Sequence, residues 1–412
     1  MTSEDRLFGV LRMPRQVLFG EGQVAAIGRV TAGLGKKALI CTDARFAASM
    51  PFAAIRRCLT DANVVVLVYA DVMPDVPCEN VYACVEAARS FGPDVVIGLG
   101  GGSCMDMAKC SALLLSHDGK LEDYYGEFKV PGAVLPVVAV PTTSGTGSEV
   151  TPVAVVSDSN RTLKVGISSP HLIPAAAICD PQLTWTCPAQ LTAIAGTDAL
   201  THAIEAFTAG RRAADSDLAL NHVFVGKNAM SDVLALKAIS LIGGSLERAY
   251  HQGADRAARA DMMLGAMLAG CAFGAAGCSL AHAIQYPIGA LTHTPHGLGV
   301  AAMLPFAMTY NSQAAAGAMA EIATALGVAK PEQSTSQCAD AAIAEVRRIF
   351  AAVGIPSTLE DLGLPADKIG WTAESAVGIT RLVKNNPRPI DLPGMQRLIT
   401  AAHTGDFTLA KQ

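Results

Sequence analysis

The sequence predicts an α/β nucleotide-binding domain followed by an all-α domain, and three observations carry that prediction. Over roughly the first 180 residues, short β-branched runs alternate with helical stretches, the pattern of parallel βαβ units. A glycine cluster, Gly100-Gly101-Gly102, stands where a buried strand hands over to a helix. After Asp180-Pro181 the β-branched runs disappear, and Ala, Leu and Met at helical spacing continue to the C-terminus. The boundary is set between 183 and 184, which gives an α/β domain over 1–183 and a helical domain over 184–412.

Taken in order, the strand candidates are Lys37 to Cys41, Asn63 to Val68, Asp94 to Gly98, Pro136 to Val140 and Val153 to Val156. Helical patterns lie between them near 44–59, 78–91 and 104–116. In the second half, Pro and Gly mark the breaks between helices.

Composition narrows the function classes. The 412 residues are 51% hydrophobic and only 16% charged, against about 25% charged in a typical domain, so much of the chain must be buried. Lys and Arg total 31 against 36 Asp and Glu, with no basic run, which leaves nucleic acid without an electrostatic footprint. The 11 cysteines form no C-x-x-C pair and no charged-then-apolar leader precedes them, so a reducing cytoplasm is expected and disulfides are not. The low charge also accommodates a homo-oligomer. From Met262 to Ala320, 59 residues pass without an Asp, Glu, Lys or Arg. Met262 to Leu280 is long enough to span a bilayer, yet it carries four glycines and runs into His282, Gln285 and Tyr286. The expectation is a helix buried on all sides, and no membrane partner.

The glycine turn lets backbone amides approach an anion, and the following helix adds its positive N-terminal end, a cradle for a diphosphate. A second loop, Pro141 to Thr151, follows another strand and offers the hydroxyls of Thr142, Thr143 and Thr146. Asp43, just after the first strand candidate, either accepts ribose hydroxyls, favouring NAD over NADP, or caps the helix beginning at Ala44. Cys104 at a helix N-terminus is either an activated thiol or a small residue in a crowded loop.

In the second half, Asp198 and His202 stand four residues apart in a strong helical pattern and share one face, within reach of a single cation. His282 closes the charge-free helix, and His296 opens the next segment beyond Pro295. Imidazoles in an apolar region must find partners, and one carboxylate with three imidazoles is an economical account of them. Such nitrogen and oxygen donors suit divalent iron, zinc, nickel or manganese, and without a cysteine ligand a structural zinc site is disfavoured.

Four segments, G-G-G-S-C-M-D-M-A-K at 100–109, P-T-T-S-G-T-G-S-E-V-T at 141–151, G-T-D-A-L-T-H-A-I-E-A at 196–206 and the stretch from His282 to His296, together resemble the iron-containing (group III) alcohol dehydrogenases. The resemblance runs from Gly9 to Asn386-Pro387-Arg388-Pro389. It implies the dehydroquinate synthase-like architecture of that family and an ion, Fe2+ or alternatively Zn2+, on Asp198, His202, His282 and His296. It also implies an NAD site formed by Asp43, Gly101, Gly102, Ser103, Asp106, Thr142, Thr143, Thr146, Thr151, Val153 and Lys164. Asp75 stands where members often have Asn, Tyr286 where many have a second His, and His293 where Asn is frequent. H-x-x-x-Y-P-I is similar to the 4-hydroxybutyrate dehydrogenase and hydroxyacid-oxoacid transhydrogenase branch.

The activity this resemblance implies is hydride transfer between NAD(H) and a small alcohol/aldehyde or hydroxyacid/oxoacid pair, the metal polarising the substrate oxygen. Tyr286 and His293 are the candidate proton carriers, and Arg381, Lys384 and Arg388 the candidate cations for a substrate carboxylate. Two rivals stand beside it: a dehydroquinate-synthase-type lyase using bound NAD, and a catalytically silent nucleotide-binding protein. The G-T-D-A-L-T-H pattern argues against the first and the intact ligand set against the second.

Overall fold

A computed structural model describes residues 7–412. The chain forms two compact units. One comprises Arg12–Cys187 with Leu220–Val223, the other residues 7–11, Pro188–Ala219 and Phe224–Gln412.

The first unit is built on a parallel sheet of six strands in the order β1-β9-β6-β4-β2-β3. These are β1 (Gln16–Phe19), β2 (Lys37–Cys41), β3 (Val65–Tyr69), β4 (Val95–Gly100), β6 (Val137–Pro141) and β9 (Ala176–Cys179); β5 (Gly126–Glu127), β7 (Val153–Val156) and β8 (Val165–Ser168) make a second, smaller sheet. The register sets Ile40 beside Ile97 and Ile97 beside Val138. Because side chains alternate across a strand, each of these strands feeds two cores. Ile40, Ile97 and Val138 pack on one face with Phe52, Ile55 and Leu59 of the helix Met50–Asp61. Leu39, Val96 and Val137 pack on the other with residues of the helices Cys78–Arg89 and Gly102–Ser116.

In chain order the helices of this unit are α1 (Ile27–Ala32), α2 (Ala44–Ala47), α3 (Met50–Asp61), α4 (Cys78–Arg89) and α5 (Gly102–Ser116). The single helical pattern expected over 44–59 is split in two. Ser49 caps α3, its hydroxyl accepting from the Phe52 amide, and Pro51 occupies its first turn.

The second unit is helical: α6 (Ala189–Thr208), α7 (Leu218–Asn221, shared with the first unit), α8 (Ala229–His251), α9 (Arg256–Ala276), α10 (Leu280–Thr292) and α11 (His296–Asn311), with further helices to residue 410. The charge-free stretch forms α9, α10 and α11. From Met262 onward α9 is buried almost throughout, packed on α6 and α8. By length and composition alone α8 could cross a bilayer, and so could α9 with α10 taken as one span, but those two meet at a bend of 100°. The break falls at Gly277, and it turns the chain so that His282 comes back toward α6.

Candidate functional site

The residues expected at the nucleotide site fall in the α/β unit and those expected at the metal site in the helical unit. In the α/β unit, the ends of β4 and β6 lie side by side, with Gly100 paired to Pro141, so the two loops meet. Gly100 adopts φ 153°, and a Cβ there would stand 2.5 Å from Cys104 Sγ. At Gly102 a Cβ would meet Thr146 Cγ2 at 2.7 Å. At Gly101 a Cβ would come only into ordinary contact with Thr143, at 3.7 Å. The close approach of the two loops at Gly102 and Thr146 therefore depends on the missing side chain of Gly102, and the first turn of α5 opens beside the second loop.

Asp43 caps α2, its Oδ1 accepting from the Phe46 amide at 2.9 Å. Its Oδ2 faces Gly100. Ser103, Asp75 and Lys164 come together beside the cradle: the Asp75 amide donates to Ser103 Oγ at 3.2 Å, and Lys164 Nζ pairs with Asp75 Oδ1 at 2.5 Å. Asp75 and Val76 both hold positive φ, at 63° and 49°, a strained conformation for a buried β-branched residue.

Beneath the cradle lies a residue the sequence reading passed over. Lys109 is fully buried, and its Nζ donates to Ser148 Oγ, the Thr151 carbonyl and hydroxyl, and the Val153 carbonyl, at 2.9, 2.9, 3.2 and 2.8 Å. Asp106 completes the brace, accepting from Ser148 Oγ at 2.6 Å and from the Val155 amide at 3.0 Å. Three residues expected to contact a cofactor, Asp106, Thr151 and Val153, are thus engaged from within the fold. Burial pushes the Lys109 ammonium down to about 8 and the buried Glu149 carboxyl up to about 7. Burial also pushes the Cys104 thiol up to about 12, so it fills space under Gly100 and is not an activated nucleophile. The signal for Lys109 was its position three residues after Asp106, on the same face of α5.

In the helical unit, Asp198 and His202 project from one face of α6. Thr197 and Thr201 on the same helix return their hydroxyls to the carbonyls of Ala193 and Thr197, at 2.8 Å each. His282 lies in the first turn of α10, and His296 is the first residue of α11. That last helix reaches α6 because Gly297 has no side chain: a Cβ there would run into the Ile194 carbonyl and lie 3.0 Å from Asp198 Cβ. Asp198, His282 and His296 form one cluster, and His202 adjoins it through Asp198 and His282. Asp198 Oδ2 is 3.9 Å from His202 Nδ1, Asp198 Oδ1 is 3.8 Å from His282 Nε2, and donor atoms of Asp198, His282 and His296 all lie within 4.8 Å of one another. The His202 ring stacks on Phe273 with centroids 4.2 Å apart.

These separations are too long for hydrogen bonds but suit donors sharing one ion, since two atoms each about 2.1 Å from a metal stand roughly 3–4 Å apart. His282 Nε2 is buried with no hydrogen-bond partner among the described residues, an arrangement that disfavours a purely structural role. Two further residues belong to the site. Glu205, one turn after His202, meets His282 Nδ1 at 2.6 Å through Oε2. Burial raises its carboxyl, but the His282 ring and the Ser279 and Ala281 amides outweigh that and hold it below the ordinary carboxylate value. Cys278 places its sulfur within 4.8 Å of ring nitrogens of His202 and His282.

The two proton-carrier candidates part company. Tyr286 lies against His296, with ring centroids 6.0 Å apart. His293 is exposed at the C-terminal cap of α10 with φ 54°, seven residues beyond Tyr286 in the chain, and joins none of the ring contacts that link His202, His282, His296 and Tyr286. The Arg388 guanidinium is engaged elsewhere, donating to main-chain oxygens of Tyr310, Lys411 and Gln412. Arg381 lies over the Phe224 ring at 5.0 Å, and Lys384 is exposed.

The family model described as "Iron-containing alcohol dehydrogenase" matches residues 14–181, and "Fe-containing alcohol dehydrogenase family, C-terminal" matches 192–403. The chain belongs to the iron-containing alcohol dehydrogenase family. Within it, the chain is 39% identical to long-chain-alcohol dehydrogenase 1 of Geobacillus thermodenitrificans (strain NG80-2), over 82% of either sequence. It is 32% identical to the NAD-dependent methanol dehydrogenase of Bacillus methanolicus, over 95% of this chain and 98% of that one. Among solved structures, a 1,3-propanediol oxidoreductase superposes with a TM-score of 0.89 at 32% identity, covering 96% of this chain and 100% of the other. The α/β-then-helical architecture and the oxidoreductase class follow from this membership.

Proposed function

We propose that this family member interconverts a primary alcohol and its aldehyde with NAD, using one divalent ion, Fe2+ or alternatively Zn2+, held by Asp198, His202, His282 and His296. The observation that carries the reading is the convergence of these side chains on the buried, unpartnered Nε2 of His282, 3.8 Å from Asp198 Oδ1. When bound, the ion supplies Lewis-acid polarisation of an alcohol or carbonyl oxygen, and NAD supplies the hydride acceptor or donor. The protein's own residues supply orientation. Phe273 holds the His202 ring flat, Gly297 lets His296 approach α6, and Tyr286 is the residue we assign to proton exchange at its hydroxyl. In the α/β segment to residue 183, the amides of Gly101, Gly102 and Ser103, the hydroxyls of Thr142, Thr143 and Thr146, and Lys164 receive the dinucleotide phosphates and ribose, while Asp43 Oδ2 selects NAD. Asp106, Thr151 and Val153 shape that cradle through Lys109. Residues 184–412 carry the metal and the substrate.

The relatives named above act, by their names, on substrates from methanol to long-chain alcohols, so the reading extends to the alcohol or aldehyde end of the substrate and leaves its tail open. We assign the protein to the cytoplasm on its eleven free thiols, and to a homo-oligomer on exposed apolar residues of α8, Met230 and Val233. The test is removal of metal with a chelator, then reloading with Fe2+ or Zn2+ and following nicotinamide absorbance with a series of primary alcohols. Activity lost on stripping and restored on reloading supports the reading; full activity in a verified metal-free sample overturns it.

A further inference from the structure

The Glu205 carboxylate receives four donors, and their count determines what it does. The Ser279 hydroxyl and Ala281 amide reach Oε1 at 3.1 and 2.7 Å, and the Ser279 amide and His282 Nδ1 reach Oε2 at 2.9 and 2.6 Å. All of these groups are buried, with Glu205 only 2% exposed. Two of the donors are backbone N–H groups at the opening of α10, which would otherwise be among that helix's orphan amides. A carboxylate has two oxygens, each able to accept twice, so the set is saturated only when the imidazole presents a proton on Nδ1.

We infer that Glu205 is the positioning residue that fixes the His282 tautomer, keeping Nδ1 protonated and Nε2 free to bind the ion, and that it sets the ring's direction by capping α10 with the same two oxygens. This rests on the metal-centre reading above. Three of the four donors come from two residues, Ser279 and Ala281, in the three positions immediately before His282, so the carboxylate registers the start of α10 and the ring together. A neutral amide of the same shape cannot replace it. With its oxygen toward His282, its NH2 faces the Ala281 amide, donor against donor. Turned the other way, its NH2 faces His282 Nδ1, which must then give up its proton, and that proton moves to Nε2 where the metal is to bind.

The experiment is Zn2+ binding to the full chain by competition with a chromogenic chelator, together with 15N NMR of histidine-labelled Zn2+-loaded and metal-free protein. Glu205→Gln should weaken Zn2+ affinity about 10–100-fold. Ser279→Ala, which removes only one hydroxyl donor from the same cap, should stay within about two-fold. In the wild type, His282 should show a proton on Nδ1 that is slow to exchange, and this signal should be lost or shifted in Glu205→Gln. The wild-type NMR result stands even if Glu205→Gln does not fold: a His282 ring protonated on Nε2 in the loaded protein overturns the inference. Equal affinity of Glu205→Gln and wild type also overturns it. If wild-type protein binds no Zn2+ that His282→Ala abolishes, the metal-centre reading itself fails.

Discussion

The two sites of this chain are built on opposite principles. In the α/β unit the surface we assign to the cofactor is backbone and hydroxyl, its loops brought close by the absent side chain at Gly102, and the ionisable groups lie below it as a brace around Lys109. In the helical unit the ionisable side chains themselves converge, and their partners, Glu205 and Phe273, hold them from behind. A backbone site tolerates little added volume, and its charged groups lie buried beneath it, bonded to one another and to the loops rather than facing a ligand. A side-chain site concentrates polar groups that are costly unless an ion or a partner satisfies them.

Changes to the brace should have the largest effect on the first site. Lys109→Met leaves the Ser148, Thr151 and Val153 acceptors without their donor and Asp106 without its counter-charge, an expected loss of about 3–5 kcal/mol. Denaturant unfolding would measure it, and a loss below about 1 kcal/mol would show that the brace is dispensable. Gly102→Ala pushes a methyl against Thr146 and should weaken NADH binding by about ten-fold or more in a fluorescence titration while leaving bound metal unchanged. A parallel loss of metal would mean that the two sites are not independent in the way described.

Glu149 gives a pH signature confined to the α/β unit. Its folded value of about 7 lies above its ordinary 4.5, so its contribution is fully present below pH 4.5 and is lost as pH rises through about 7. Glu149→Gln should flatten that decline in melting temperature, and an unchanged slope would place the titration elsewhere. The smallest expected effect is Asp43→Gly, which loses the α2 cap, about 1 kcal/mol or less, and raises NADP use relative to NAD. An unchanged cofactor ratio would leave Asp43 with its capping role alone.

The same contrast explains what was legible in the sequence. Glycine loops at strand ends are local signals, and β2, β4, β6 and β7 stand within two or three residues of their predicted positions. β1 and β9 were not visible, because Ala176-Ala177-Ile178-Cys179 has weak strand propensity and its partner is Gln16 to Phe19, 160 positions away in register. β8 was missed too, as a short strand paired only within the smaller sheet. In the helical unit, the Asp198 and His202 pair was readable from helical spacing, His282 and His296 stood out as imidazoles in a charge-free region, and the family resemblance implied the four as one set. Glu205 was in plain view on the same helix, but the donors that give it meaning lie 74 to 77 residues onward. His293 looked equivalent to Tyr286 in sequence, and only the point at which α10 ends separates them.

The most direct test of the central claim is an anomalous diffraction map of the metal-loaded protein, collected at the absorption edge of the bound metal. The account predicts a single peak about 2.0–2.2 Å from one Asp198 oxygen and one nitrogen each of His202, His282 and His296. A peak coordinated by a different set of side chains, or a stoichiometrically loaded protein with no peak among these four, would contradict it.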